Sequence, residues 1–125
     1  MIIAIGTDIV EIARIAKVLE RQAERFVERI LCPSELEQYA SRGNSVAFVA
    51  TRFAAKEAIA KALGTGIGHG VSFQDIQISN DEKGAPHVQL SGGAADVMHG
   101  RGGQQILLSL ADERDYAIAY AILSE

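Results

Sequence analysis

Phe53-Ala54-Ala55-Lys56-Glu57-Ala58-Ile59-Ala60-Lys61-Ala62-Leu63-Gly64, followed by Thr65-Gly66-Ile67-Gly68-His69-Gly70, is the stretch around which the chain is organised. Seven of its first twelve residues are Ala, Leu or Ile, and none before Gly64 is Gly or Pro, a composition that favours helix. Upstream, the helix is expected to start near Asn44 or Ser45 and to take Val46, Phe48, Val49, Phe53, Ile59 and Leu63 as its main apolar residues, which makes it the longest element. Lys56, Glu57 and Lys61 interrupt that apolar surface. Glu57 and Lys61 lie four residues apart, about 40° from each other on one face. Taken alone, that spacing fits an exposed pair contributing about 0.2–0.5 kcal/mol.

The N-terminus supplies a second carboxylate in apolar surroundings. Residues 2–10, Ile-Ile-Ala-Ile-Gly-Thr-Asp-Ile-Val, read as a buried strand because they are short, rich in β-branched residues and almost uncharged. By alternation Asp8 shares a face with Gly6 and Ala4, so small residues leave room beside it for a ligand or another backbone. A buried carboxylate has to be paired, hydrogen-bonded or metal-bound; the competing role is an N-cap of the next helix.

With 125 residues, 48% of them hydrophobic, the chain is expected to form a single domain over residues 1–125 with a sizeable core. The single Cys32 excludes an internal disulfide framework and a Cys-based metal site, which fits a reducing cytosol, and it reads as structural. No apolar run reaches the roughly 18 residues of a membrane span, and Asp8 interrupts the apolar N-terminus where a signal peptide would be cleaved. A cytoplasmic location is expected, with no membrane partner. The net charge of −4 argues against a nucleic-acid binder. Even so, Arg14, Lys17, Arg21, Arg25 and Arg29 crowd one sixteen-residue window that holds three acidic residues.

Between strand and central helix, Ile12, Ile15, Ala16 and Leu19 recur at helical spacing with Arg14, Lys17 and Arg21 opposite. Phe26, Val27, Ile30 and Leu31 continue as a second short helix or a bent continuation ending near Cys32-Pro33. Ser34 with Glu37 has capping-box spacing and should start another helix that Gly43 stops. After the glycine loop, which fits neither dinucleotide nor P-loop patterns, residues 73–79 and 87–90 read as a hairpin about the turn 80–84. Residues 91–99 read as a short helix, and residues 106–111 and 116–123 as a second hairpin whose last strand alternates Tyr116, Ile118, Tyr120, Ile122 with Ala117, Ala119, Ala121. Helices and strands do not alternate one for one. The fold expected is α+β, an antiparallel sheet packed against one long central helix and shorter N-terminal helices.

Asp8 and Glu57 form the best pair for chemistry: hard oxygen ligands suit Mg²⁺, which takes one or two carboxylates and completes its shell with water and phosphate oxygens. Lys61 could hold the phosphate. His69, His87 and His99 show no Zn-ligand spacing, and no hydrolase nucleophile elbow is present.

Gly6-Thr7-Asp8-Ile9-Val10-Glu11-Ile12-Ala13-Arg14-Ile15, together with Arg52-Phe53-Ala54-Ala55-Lys56-Glu57-Ala58-Ile59-Ala60-Lys61-Ala62-Leu63-Gly64-Thr65-Gly66, closely resembles the holo-acyl-carrier-protein synthases, the small bacterial phosphopantetheinyl transferases. Weaker similarity through residues 80–84, Pro86 and residues 109–116 extends the match to nearly the whole chain. The resemblance implies Mg²⁺-dependent transfer of 4′-phosphopantetheine from coenzyme A to a serine of apo acyl carrier protein, with release of adenosine 3′,5′-bisphosphate. It assigns Asp8 and Glu57 to the metal, Lys61 to the coenzyme phosphates, and Gly64, Thr65, Gly66, Gly68 and Pro86 to the coenzyme. It also implies a homotrimer whose sites are completed by a neighbouring subunit, with the carrier protein docking on Arg14, Lys17 and Arg21. The chain departs from the family where many members have Lys before the proline, here Ala85, and His in the last hairpin, here Ala111-Asp112. A Mg²⁺-dependent phosphohydrolase would use the same three polar residues, and a non-catalytic nucleotide- or partner-binding module would leave the carboxylates structural.

Overall fold

The N-terminal apolar run forms strand β1 (Ile2–Glu11) in a computed structural model that describes all residues from Met1 to Glu125. Helices α1 (Ile12–Ile30), α2 (Pro33–Ser41) and α3 (Val46–Leu63) follow. A 3-10 turn (Phe73–Asp75) leads into strands β2 (Ile76–Asn80) and β3 (Pro86–Leu90), then helix α4 (Gly92–Gly100) and strands β4 (Gln105–Asp112) and β5 (Tyr116–Ser124). The fold is α+β, as the irregular order of helices and strands implied. The two hairpins do not share one sheet: β1, β5 and β4 form an antiparallel three-stranded sheet in that order, and β2 with β3 a separate two-stranded one.

Helix α3 lies at the centre because its residues allow close approach on nearly every side; twelve of its eighteen residues are buried. On β5 the alternating Ala117, Ala119 and Ala121 are fully buried beneath it. On β1 the contact is tighter still. A Cβ added at Gly6 would sit 2.1 Å from the carbonyl oxygen of Ala58 and 2.6 Å from the amide of Ala62, so only glycine lets helix and strand meet there. The space expected beside Asp8 is thus taken partly by another backbone. Strand β1 is not buried on both faces as its composition suggested: Gly6 and Val10 are buried, whereas Ile2, Ile5 and Ile9 are about 60% exposed.

Helix α1 is the bent continuation of the two expected pieces. Gln22 leaves helical geometry at φ −141°, ψ 38°, so the nineteen-residue helix is broken, and α3 with eighteen residues is the longest uninterrupted one. The start of α2 differs from expectation. Cys32, not Ser34, is the N-cap, Pro33 opens the first turn, and Glu35, not Glu37, returns its side chain to the Cys32 amide at 2.7 Å. Proline at the first helical position has no amide to leave unsatisfied, which moves the start upstream of the Ser34 signal. The 3-10 turn likewise replaces the first residues of the expected 73–79 strand, because Ser72 and Asp75 cap each other across it.

Candidate active site

Asp8 points from the inner face of β1, opposite Ala119 of β5, while Glu57 and Lys61 stand on the last two turns of α3. The Gly6 contact holds strand and helix close enough for Lys61 to reach Asp8. The Lys61 ammonium donates to Asp8 Oδ1 and to the Thr7 carbonyl, both at 3.0 Å. Glu57 is not among its ion-pair partners. The intrahelical pair that the spacing allowed is therefore replaced by a tie from helix to strand, and Asp8 is not the N-cap of α1, a position held by Glu11. Lys61 is half exposed whereas Asp8 is 16% exposed, so water screens this pair and a ligand can displace it.

Burial raises the pKa of the half-buried Glu57, the charge on Asp8 raises it further, and Lys61 and Arg29 oppose the shift. The two carboxylates are thus near enough to repel each other, a situation that a cation between them relieves. No cluster of three or more His, Cys, Asp or Glu surrounds them. Two carboxylates on an open face fit Mg²⁺ with water and substrate oxygens completing its shell, rather than a closed structural metal site.

The loop after α3 turns back on the helix. Gly64 adopts φ 88° as the left-handed C-cap, which glycine takes at no steric cost. Its amide bonds to the Lys61 carbonyl at 3.0 Å, and the amides of Thr65 and Gly66 both reach the Ala60 carbonyl, at 3.3 and 3.1 Å. The Gly68 amide bonds to Val71. None of these four amides is available to cradle a phosphate, in contrast to glycine loops that precede a helix.

Pro86 is not brought to this place. It lines a second cleft with Arg42, Ser45, Thr51, Arg52 and Asn80, to which Asp8, Glu57 and Lys61 do not belong. Arg52 is 3% exposed, donates to Asn80 Oδ1 at 2.7 Å and leaves its Nε without a partner. Burial lowers its pKa. Sequence periodicity gave no sign of this buried cation beyond its place in the motif. Arg29 was likewise legible only as one charge in the basic window, yet it lies near enough to lower the Glu57 pKa and its guanidinium sits 5.7 Å from the centre of the Phe73 ring. Arg14, Lys17 and Arg21 are all exposed on α1, where Ile15 on the opposite face packs into the core.

Residues 4–121 match the profile of the 4′-phosphopantetheinyl transferase superfamily. The chain is 57% identical over 122 residues to the holo-[acyl-carrier-protein] synthase of Shewanella amazonensis, covering 98% of both chains. Its fold superposes on the crystal structure of the Neisseria meningitidis holo-[acyl-carrier-protein] synthase with a TM-score of 0.92 and 39% identity over the whole of both chains. The Helicobacter pylori holo-[acyl-carrier-protein] synthase in complex with coenzyme A gives a TM-score of 0.85 and 40% identity, covering 96% of this chain and 99% of that one.

Proposed function

The chain belongs to the holo-acyl-carrier-protein synthases of the 4′-phosphopantetheinyl transferase superfamily, and we propose that it moves 4′-phosphopantetheine from coenzyme A to a serine of an apo acyl carrier protein, releasing adenosine 3′,5′-bisphosphate. The observation that carries this reading is the meeting of Asp8, Glu57 and Lys61 where α3 crosses β1. Coenzyme A as the donor is supported by the complex formed by the Helicobacter pylori relative.

Asp8 and Glu57 would hold Mg²⁺, which would neutralise charge building on the pyrophosphate oxygens. Lys61, released from Asp8, places its ammonium against the remaining phosphate charge. The carrier serine attacks the phosphorus bonded to pantetheine, and the bond to the bisphosphate oxygen breaks. The serine proton passes to a water held in the site or to one of the carboxylates.

A homotrimer with shared sites completes the reading. Two features support it: an outer sheet face exposing Ile5, Ile9, Leu107, Ile118 and Tyr120, and the separation, within one chain, of the Arg52–Pro86 cleft from the carboxylate pair. A neighbouring subunit could supply the second cleft to the first. The acidic carrier protein would dock on Arg14, Lys17 and Arg21. No helix is long and apolar enough to cross a membrane, and we place the enzyme in the cytoplasm.

The test is one incubation with coenzyme A, Mg²⁺ and apo carrier protein, read by intact mass. The reading requires carrier protein to gain one phosphopantetheinyl group and bisphosphate to appear in equal amount. Release of the group to water would instead identify a phosphohydrolase, and binding without turnover a non-catalytic module.

A further inference from the structure

An anion bound beside Lys61 and the 64–66 turn meets an electrostatic problem. This is the carboxyl end of α3, where the macrodipole places roughly half a negative charge and the last carbonyls lack helical partners. The amides of the turn itself, those of Gly64, Thr65 and Gly66, are already bonded to the Ala60 and Lys61 carbonyls, and the Thr65 hydroxyl donates to the Gly66 carbonyl at 2.7 Å. At this turn the pull on a phosphate falls to side-chain cations.

Arg101 supplies one. It is the C-cap of α4, and its side chain crosses to α3, where Nη1 donates to the Ala62 carbonyl at 2.9 Å. A Cβ on Gly64 would lie 3.0 Å from the same nitrogen, which puts the guanidinium directly beside the turn. Arg101 is exposed, its remaining N–H groups make no hydrogen bond to the protein, and no carboxylate forms an ion pair with it. It therefore neutralises the carbonyl end of α3 and keeps donors and charge to spare.

We propose that Arg101 is a second phosphate-directed cation of the donor site, a positioning residue that turns the carboxyl end of α3 from repelling the coenzyme pyrophosphate to attracting it. This rests on the donor being coenzyme A. Lys61 acts from the strand-facing side of the helix end and Arg101 from the α4 side, so the two are complementary. Lysine at position 101 retains the charge and can still reach a carbonyl, but it lacks the planar fork of donors.

Full-length wild type, Arg101→Gln and Arg101→Lys are compared by steady-state kinetics with coenzyme A and apo carrier protein, by calorimetric titration of coenzyme A at several salt concentrations, and by thermal melting. Arg101→Gln should raise the KM for coenzyme A about tenfold, as for loss of one charge-assisted hydrogen bond, with kcat and the carrier-protein KM changed far less. Its coenzyme A affinity should also depend less on salt, and Arg101→Lys should recover most of the loss. An unchanged coenzyme A KM and salt dependence in Arg101→Gln, or an equal fall in use of both substrates that follows the melting temperature, would overturn the proposal. Wild-type protein that fails to bind coenzyme A would overturn the transferase reading itself and this inference with it.

Discussion

Lys56 Nζ lies 2.6 Å from Glu35 Oε1, and neither side chain is exposed to solvent. The ammonium also donates to the carbonyls of Ile30 at 2.7 Å and Phe73 at 3.2 Å, while the carboxylate accepts the amides of Cys32 at 2.7 Å and Ile78 at 2.9 Å. One ion pair thus ties the end of α1, the start of α2, the 3-10 turn and β2 to the residue next to Glu57. Burying two charges is tolerable because nearly every donor and acceptor finds a partner.

Removing one member leaves the other buried without its counter-charge. Lys56→Met and Glu35→Gln should each cost about 3–5 kcal/mol of stability, and the double variant should cost clearly less than their sum. Urea unfolding measures this. Strictly additive losses would show that the pair is not coupled.

The β2–β3 turn carries an acid-sensitive element. Asp81 Oδ1 accepts the amides of Ala85 and Lys83, both at 2.9 Å, and the Ala85 bond is the main cause that holds the carboxyl below its ordinary pKa. A depressed pKa contributes stability that is complete above the unfolded value, about 4, and is lost as pH falls through the lower folded value. Wild type should therefore lose stability more steeply than Asp81→Asn as pH drops below about 4. Parallel stability curves for the two proteins in that range would contradict this.

For the carboxylate pair, Glu57→Gln and Asp8→Asn keep size and remove charge. Each should weaken Mg²⁺ binding and lower turnover by at least about 100-fold. Because Glu57 titrates above its ordinary value, Mg²⁺ affinity of the wild type should also fall as the pH is lowered toward it. Normal turnover with an unchanged Mg²⁺ titration in both variants, with circular dichroism intact, would make these carboxylates structural.

Arg14→Glu reverses a charge on the exposed face of α1 without touching the core. The KM for carrier protein should rise while coenzyme A affinity stays the same, and added salt should narrow the difference from wild type, since screening acts over about 8 Å at physiological ionic strength. Loss of coenzyme A affinity with an unchanged carrier-protein KM would move the docking surface elsewhere.

On the outer sheet face, Ile9 and Ile118 are cross-strand partners that are 60% and 43% exposed. Ile118→Asp puts a charge into that apolar patch and should convert the proposed trimer to monomer with loss of activity, as read by sedimentation equilibrium and assay. A fully active wild-type monomer would remove both the trimer and the shared site.

Local pattern was sufficient wherever a residue's role depends on its near neighbours in sequence. Alternation put Asp8 on the face of Gly6 and Ala4, the alanine stripe of β5 announced a closely packed helix, Gly64 marked the end of α3, and the two motifs together named the family. Tertiary structure decided what depends on which segments meet. Lys56 was visible as an unexplained charge, but its partner is 21 residues away in sequence and belongs to a helix whose start Pro33 shifts away from the Ser34 signal. Lys61 had Glu57 within reach on its own helix and bonds instead to Asp8, 53 residues away, because the missing Cβ of Gly6 lets α3 settle against β1. Arg101 lies 39 residues from the carbonyl it holds, and no periodicity links the end of one helix to the end of another. Periodicity records which face a residue occupies; which charge that face meets is set by the packing of segments distant in sequence, and the chemistry of this site depends on that second choice.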